Sequence, residues 1–257
     1  MTTAAETPED RADDRVSDLV PADDRGPGEV GHTHADISGG WLRAATFGAM
    51  DGLVTNVSLV AGIGAAGVSP EIVVTAGLAG LVAGAFSMAL GEYASVSTQN
   101  EAVDKEVVAE RREIHDNPDA ELAELTVMFE EMGMTAATAA NAATEVHRDG
   151  DRAVRVHISQ ELGLDPDEHP SPMVAALSSF VMFSIGAVVP LIPYLLGFDS
   201  LVAGLAVGAV GLLVAGAVAS MFTATTWWWG AIRQLLFGAL AAGATYAVGT
   251  VLGVSLT

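Results

Sequence analysis

Carboxylates at helical spacing are the first residues in this chain with chemistry to offer. Glu106, Glu110 and Glu113 recur at i, i+4 and i+7, Glu121 and Glu124 open the segment after Asn117-Pro118, and His157 and Glu161 stand one helical turn apart further on. Like charges aligned on one helix face repel. Hard oxygen ligands converging from several helices bind a cation, and the ion then relieves that repulsion; the same residues also describe an acidic face turned to solvent. Cysteine is absent, which excludes a disulfide framework, a thiolate zinc site and a thiol nucleophile. A metal is left with carboxylate, imidazole or thioether.

A second set of groups sits in apolar surroundings. Asp51 lies in Gly48-Ala-Met-Asp-Gly-Leu-Val54 and Glu92 in Ser87-Met-Ala-Leu-Gly-Glu-Tyr93. An ionisable side chain inside a membrane span is costly, and its default reading is functional. Met50 and Met88 flank the two acids; methionine is commonly core filler. Two carboxylates with two thioethers in adjacent spans also make a route for a divalent transition metal, the carboxylates suiting manganese and iron(II) and the sulfur adding preference for softer ions. Asn56 and Ser58 extend a polar stripe beyond Asp51. Pro190 and Pro193 interrupt helical hydrogen bonding, which is tolerated at depth where backbone lines a cavity. Near the N-terminus His32 and His34, with Asp36, either grip a metal weakly or form an incidental solvated pair.

Positioning these groups takes two kinds of structure, and the composition supplies both. The chain is 51% hydrophobic yet carries a formal net charge of −21, and the two characters are separated into blocks. Segments running about from Trp41 to Ala66, Pro70 to Ser95, Pro172 to Leu196, Ser200 to Phe222 and Trp228 to Val254 are each apolar over the roughly 20 residues a bilayer core requires. The expected fold is therefore an all-α membrane protein of five transmembrane helices, with a helical cytoplasmic insert, residues 96–171, between helices 2 and 3. That insert holds eighteen Asp or Glu against six Lys or Arg. Residues 1–40, acidic and poor in large apolar side chains, are expected to form a disordered tail.

Punctuation divides the insert. One helix continues out of span 2 to about His115, Asn117-Pro118 opens a second that ends at Gly133, Thr135 caps a third, and Asp151 starts a fourth that ends at Gly163. Leu122, Leu125, Phe129 and Met132 give the second a core face. Gly48/Gly52, Gly80/Gly84 and Gly204/Gly208 have the four-residue spacing that lets helices approach closely in lipid, within a bundle or a dimer. All eleven Lys and Arg residues fall in the tail, at Arg43, in the insert or at Arg233. Basic residues accumulate on the cytoplasmic side, so the spans are expected in the cell membrane with the N-terminus and insert in the cytoplasm and the C-terminus outside.

On Gly48-Ala-Met-Asp-Gly-Leu-Val54, Gly84-Ala-Phe-Ser-Met-Ala-Leu-Gly-Glu-Tyr-Ala-Ser95 and the acidic insert with Glu161-Leu-Gly-Leu164, the chain resembles the vacuolar iron transporter family from Trp41 to its C-terminus. It resembles the branch that carries a cytoplasmic metal-binding domain. The resemblance implies a homodimer in membrane lipid that exports iron(II) and related divalent ions (manganese, cobalt, zinc) from the cytoplasm in exchange for protons. It implies transport roles for Asp51 and Met88 with Glu92 adjoining, and metal ligation by Glu110, Glu113, Glu121, Glu124 and Glu161. Where relatives can carry a Met-Met pair, this chain has His157-Ile158. No prosthetic group and no nucleic-acid partner is expected. A membrane di-iron enzyme would use Glu-x-x-His pairs; Arg112, Thr144, Val154 and Pro166 stand three residues before His115, His147, His157 and His169, and no His-Glu-x-x-His occurs. A sensor or scaffold that binds metal without flux is the other alternative.

Overall fold

The computed structural model describes residues 40–223 and 225–256, with side chains described as far as Gly253. The tail expected over residues 1–40, with His32, His34 and Asp36, lies outside the described residues apart from Gly40. The described residues are helical, without strands. Helix α1 spans Trp41–Ala65 and α2 Pro70–Asp116; the insert continues with α3 (Pro118–Glu131), α4 (Ala136–Val146) and α5 (Gly150–Glu161). Then follow α6 (Pro172–Val188), a single 3₁₀ turn at Val189–Leu191, α7 (Ile192–Leu195), α8 (Leu201–Ser220) and α9 (Trp227–Leu256). Five stretches, in α1, α2, α6–α7, α8 and α9, are long and apolar enough to cross a membrane. The chain is a multi-pass membrane protein.

Local sequence sets the helix ends. Ser69-Pro70 opens α2 with proline at a first-turn position, where its missing N–H costs nothing. The helix then runs 47 residues without interruption, about 70 Å at the helical rise, and stops at Asn117 because the following Pro118 disfavours helical backbone there. Thr135 Oγ1 accepts from the Thr138 N–H at the start of α4. The fourth insert helix departs from the expected start at Asp151. Its cap is Asp149, whose Oδ1 accepts from the Arg152 N–H at 3.0 Å, so Asp151 already lies in the first turn. Met132 also departs from expectation: Leu125 and Phe129 are buried, with Leu122 against them, but Met132 is exposed. The helix ends at Glu131, and Gly133, at φ 97°, turns the chain away from the core face.

Within the bundle α1 packs against α2, α6, α8 and α9. Its approach to α6 is made at the level of backbone. A Cβ on Gly48 would lie 2.7 Å from Ser179 O, one on Gly52 would strike the Phe183 carbonyl, and one on Gly186 would strike Ala49 O. Gly80 faces Leu59 and Asn56, Gly84 faces the Phe183 ring, and Gly204 and Gly208 face Tyr194 and Val57. The four-residue glycine pairs therefore serve close packing inside one chain, where dispersion over matched surfaces replaces the hydrophobic drive that lipid removes.

One polar residue ties three of these helices together. Asn56 is fully buried, and its Nδ2 donates to Ala187 O at 2.5 Å on α6 and to Gly77 O at 3.2 Å on α2. Pro190 brings no N–H to the turn that follows Ala187. The Asn56 amide supplies a donor at the place where the third span loses one. Outside this core, α2 and α9 turn Ile72, Val82, Phe86, Leu90, Leu240 and Val251 outward, as lipid-facing surfaces do.

Replacing Gly186 with leucine is expected to force α1 and α6 apart and to lower stability by about 1–3 kcal/mol, the usual cost of overpacking. Gly91, which has nothing within 4 Å of an added Cβ, is expected to accept alanine without loss. Thermal unfolding of both variants in the same detergent checks the contrast.

Candidate metal centre

Three helices bring side chains to one point in the insert. Glu110 lies near the C-terminal end of α2, Glu121 in the first turn of α3, and His157 and Glu161 one turn apart on α5. One ligand atom from each of the four lies within 4.8 Å of all the others. The frame behind them is apolar: Leu125 and Phe129 of α3 pack on Ala139 and Ala143 of α4, with Val156 of α5 against the same cluster. Arg152 clamps the turn from α4 to α5, donating from Nη2 to Glu145 O at 2.6 Å and from Nε to Val146 O at 3.3 Å. Its charge stands at the carbonyl end of α4, where a cation is favoured.

His157 is the centre of the arrangement and is fully buried. Its Nδ1 lies 3.0 Å from Glu161 Oε1, 3.2 Å from Glu110 Oε1 and 3.5 Å from Glu121 Oε2. One ring proton cannot serve three carboxylates. The aligned hydrogen bond goes to Glu161, and the buried Glu110 Oε1, although close, has no hydrogen-bond partner. An orphaned buried carboxylate oxygen is expensive. On its other side His157 Nε2 lies 3.1 Å from His147 Nε2.

The electrostatics follow from this crowding. Burial first, and the negative charge of Glu161 second, push the Glu110 carboxyl up to about 7 against the partial relief that His157 provides. Burial also raises Glu121, with Glu124, Glu161 and Glu113 adding to the shift and His157 opposing it. His147 is held below the ordinary histidine value by burial and by the neighbouring His157. A divalent ion among Glu110, Glu121, His157 and Glu161 would compete with protons for these groups and give all four a common positive partner.

The other sequence-predicted groups take different places. Glu113 and Glu124 are exposed at the rim, near enough for their charge to act on Glu121; Glu113 accepts from Asn117 Nδ2 at 2.8 Å. Glu106 is exposed and outside the four-residue cluster. In the spans, Asp51 is exposed on the surface of the single chain, with Thr55 Oγ1 3.4 Å from its Oδ1. Met88 packs beside Phe183 and Ala85, Met50 lines an apolar groove with Ala49, Val207 and Val214, and Glu92 pairs with Arg43 at 2.6 Å. The contact that sequence reasoning missed is His147. It stands ten residues before His157, across the Asp149-Gly150 break between helices, so no periodicity connects the two.

Fold and site together define a multi-pass helical membrane protein with an acid-and-imidazole cluster on a helical insert. Residues 42–250 match the model of the VIT family, and the chain belongs to that family. It is similar, at 35% identity over 230 residues, to a protein of Acanthamoeba castellanii (strain ATCC 30010 / Neff) named vacuolar iron transporter, with 87% of this chain and 84% of that one covered. It is 29% identical over 221 residues to vacuolar iron transporter 1 of Oryza sativa subsp. japonica, covering 84% and 88%. A VIT-like transporter 1b of Glycine max is 32% identical over 218 residues, covering 84% and 77%.

Because the folded-state value of Glu110 lies above its ordinary 4.5, its proton stabilises the fold at low pH and is stripped between about 4.5 and about 7. The metal-free protein is therefore expected to lose stability as pH rises through that window. The slope should flatten in Glu110→Gln, and thermal unfolding across a pH series checks it.

Proposed function

We propose that this protein transports a divalent metal, iron(II) foremost with manganese and similar ions, out of the cytoplasm in exchange for protons. The observation that carries the proposal is the convergence of Glu121, His157 and Glu161 on Glu110, which stands on the same long helix that forms the second span. Membership of the VIT family, whose relatives are named for iron transport, points to the same substrate. The insert captures the ion, with Glu113 and Glu124 at its rim adding attraction. Asp51, Met88, Glu92 and Met50 form the route through the membrane. Proton and metal compete for the same carboxylate oxygens, so exchange of one for the other needs no further group.

The working form is a homodimer in the cell membrane, with the N-terminus and insert cytoplasmic and the C-terminus outside. Supporting the orientation are the one-sided basic residues and the odd number of spans. Supporting the second copy is Asp51, a carboxylate exposed at span depth on a single chain. Such a group is not left facing lipid; it faces a partner or a water-filled cavity.

The test is iron(II) flux into liposomes that hold the purified protein, followed by a metal-quenched dye under anaerobic conditions. Wild-type protein is expected to carry iron(II) into the liposome as protons leave it, faster when the lumen is the more acidic side, and Asp51→Ala to abolish flux while leaving metal binding by the insert intact. Glu110→Gln with Glu121→Gln should raise the half-saturating metal concentration with less effect on the maximal rate. Binding without flux in the wild type would instead mark a sensor, and Asp51→Ala at the wild-type rate would overturn the assigned route.

A further inference from the structure

The two ring nitrogens of His157 have different work. Nδ1 faces Glu110, Glu121 and Glu161, and Nε2 faces His147 Nε2 at 3.1 Å, the two rings meeting edge to face at 75°. A neutral imidazole carries one proton on one of its two nitrogens. An ion held in the carboxylate cluster would take the Nδ1 lone pair, which would leave the ring proton on Nε2. That N–H is buried with the rest of the ring and needs an acceptor, since a buried donor without one costs free energy.

We propose that His147 is a positioning residue for this metal centre: its Nε2 accepts the Nε2 proton of His157 and so holds the Nδ1 lone pair of His157 toward the ion. The proposal rests on the reading of the four-residue cluster as a metal site. His147 is well placed for this, because the chain around it is fixed from both sides. Its backbone N–H caps α4 by donating to Ala143 O, Arg152 grips the two preceding carbonyls at Glu145 and Val146, and Asp149 caps α5 two residues later. A ligating imidazole depends on such a partner for its orientation and its tautomer. The chemical consequence is selectivity. Carboxylates alone favour hard ions such as calcium and magnesium, whereas a fixed neutral imidazole favours transition metals.

The experiment is calorimetric titration of the full-length protein in detergent with cobalt(II), an air-stable transition metal ion, and separately with calcium. Variants are His147→Phe, which has no acceptor, His147→Gln, which keeps one, and each of these in a His157→Met background, where the ligand is a thioether without a ring proton. Cobalt binding should weaken about 10-fold or more in His147→Phe, the usual scale for losing such a partner, and recover in His147→Gln. Calcium binding should not change, and in the His157→Met background His147→Phe should have no effect on cobalt. Wild-type affinity in His147→Phe overturns the proposal, as does an equal loss in the His157→Met background, which would assign His147 to packing alone. Failure of the site reading shows differently: wild-type protein would then bind no cobalt, or His157→Ala would bind it as the wild type does, and the proposal falls with it.

Discussion

Three carboxylates drawn around one fully buried imidazole are the constraint on which the rest of this molecule turns. Glu110, Glu121 and Glu161 repel one another, and His157 can satisfy only one of them by hydrogen bonding. Left in water on separate helices, these groups would spread apart. They are held together because the Leu125, Phe129, Ala139 and Ala143 cluster fixes α3 on α4 and the Arg152 clamp fixes the turn into α5. The raised carboxyl of Glu110 and the orphaned oxygen it carries measure the tension that remains. A cation removes that tension, and a proton removes part of it.

The same constraint explains why the insert grows from the second span without a joint. Helix α2 is one continuous rod, and the eighteen residues from Glu92 to Glu110 cover about 27 Å of it at the helical rise. One helix thus joins the membrane end, at Glu92, to Glu110 in the cluster. At the membrane end α2 is tied to the bundle by the Arg43–Glu92 pair, by Asn56 donating to Gly77 O, and by Phe183 filling the space beside Gly84. The bundle itself depends on glycine at the crossings of α1 with α6, where two backbones nearly touch and no side chain fits between.

Much of this architecture was legible in the sequence because it depends on local signals. Long apolar runs mark the spans, Asn117-Pro118 and Gly133 mark the ends of α3, and Thr135 marks the start of α4. Where two signals compete, the local reading slips: Asp149 caps α5 where Asp151 was expected, and Met132 falls past the helix end instead of on its core face. The glycine pairs fit a dimer as well as a bundle until their neighbours are known. The sequence pattern also placed Glu106, Glu110 and Glu113 on one face without distinguishing them. Only the packing of α3 and α5 against α2 separates the nearly buried Glu110 from exposed Glu106 and Glu113. His147 was invisible for the same reason, since its contact with His157 crosses a helix break and depends on tertiary structure alone.

On the proposed function, the cluster around His157 is a mixed oxygen and nitrogen site for iron(II). X-ray absorption at the iron edge, on protein loaded anaerobically with one equivalent of iron(II), reads the ligand set. The expected spectrum shows a shell of carboxylate oxygens with the multiple-scattering signature of one imidazole, and loses that signature in His157→Met. An all-oxygen shell, or an imidazole signature that survives His157→Met, would contradict it.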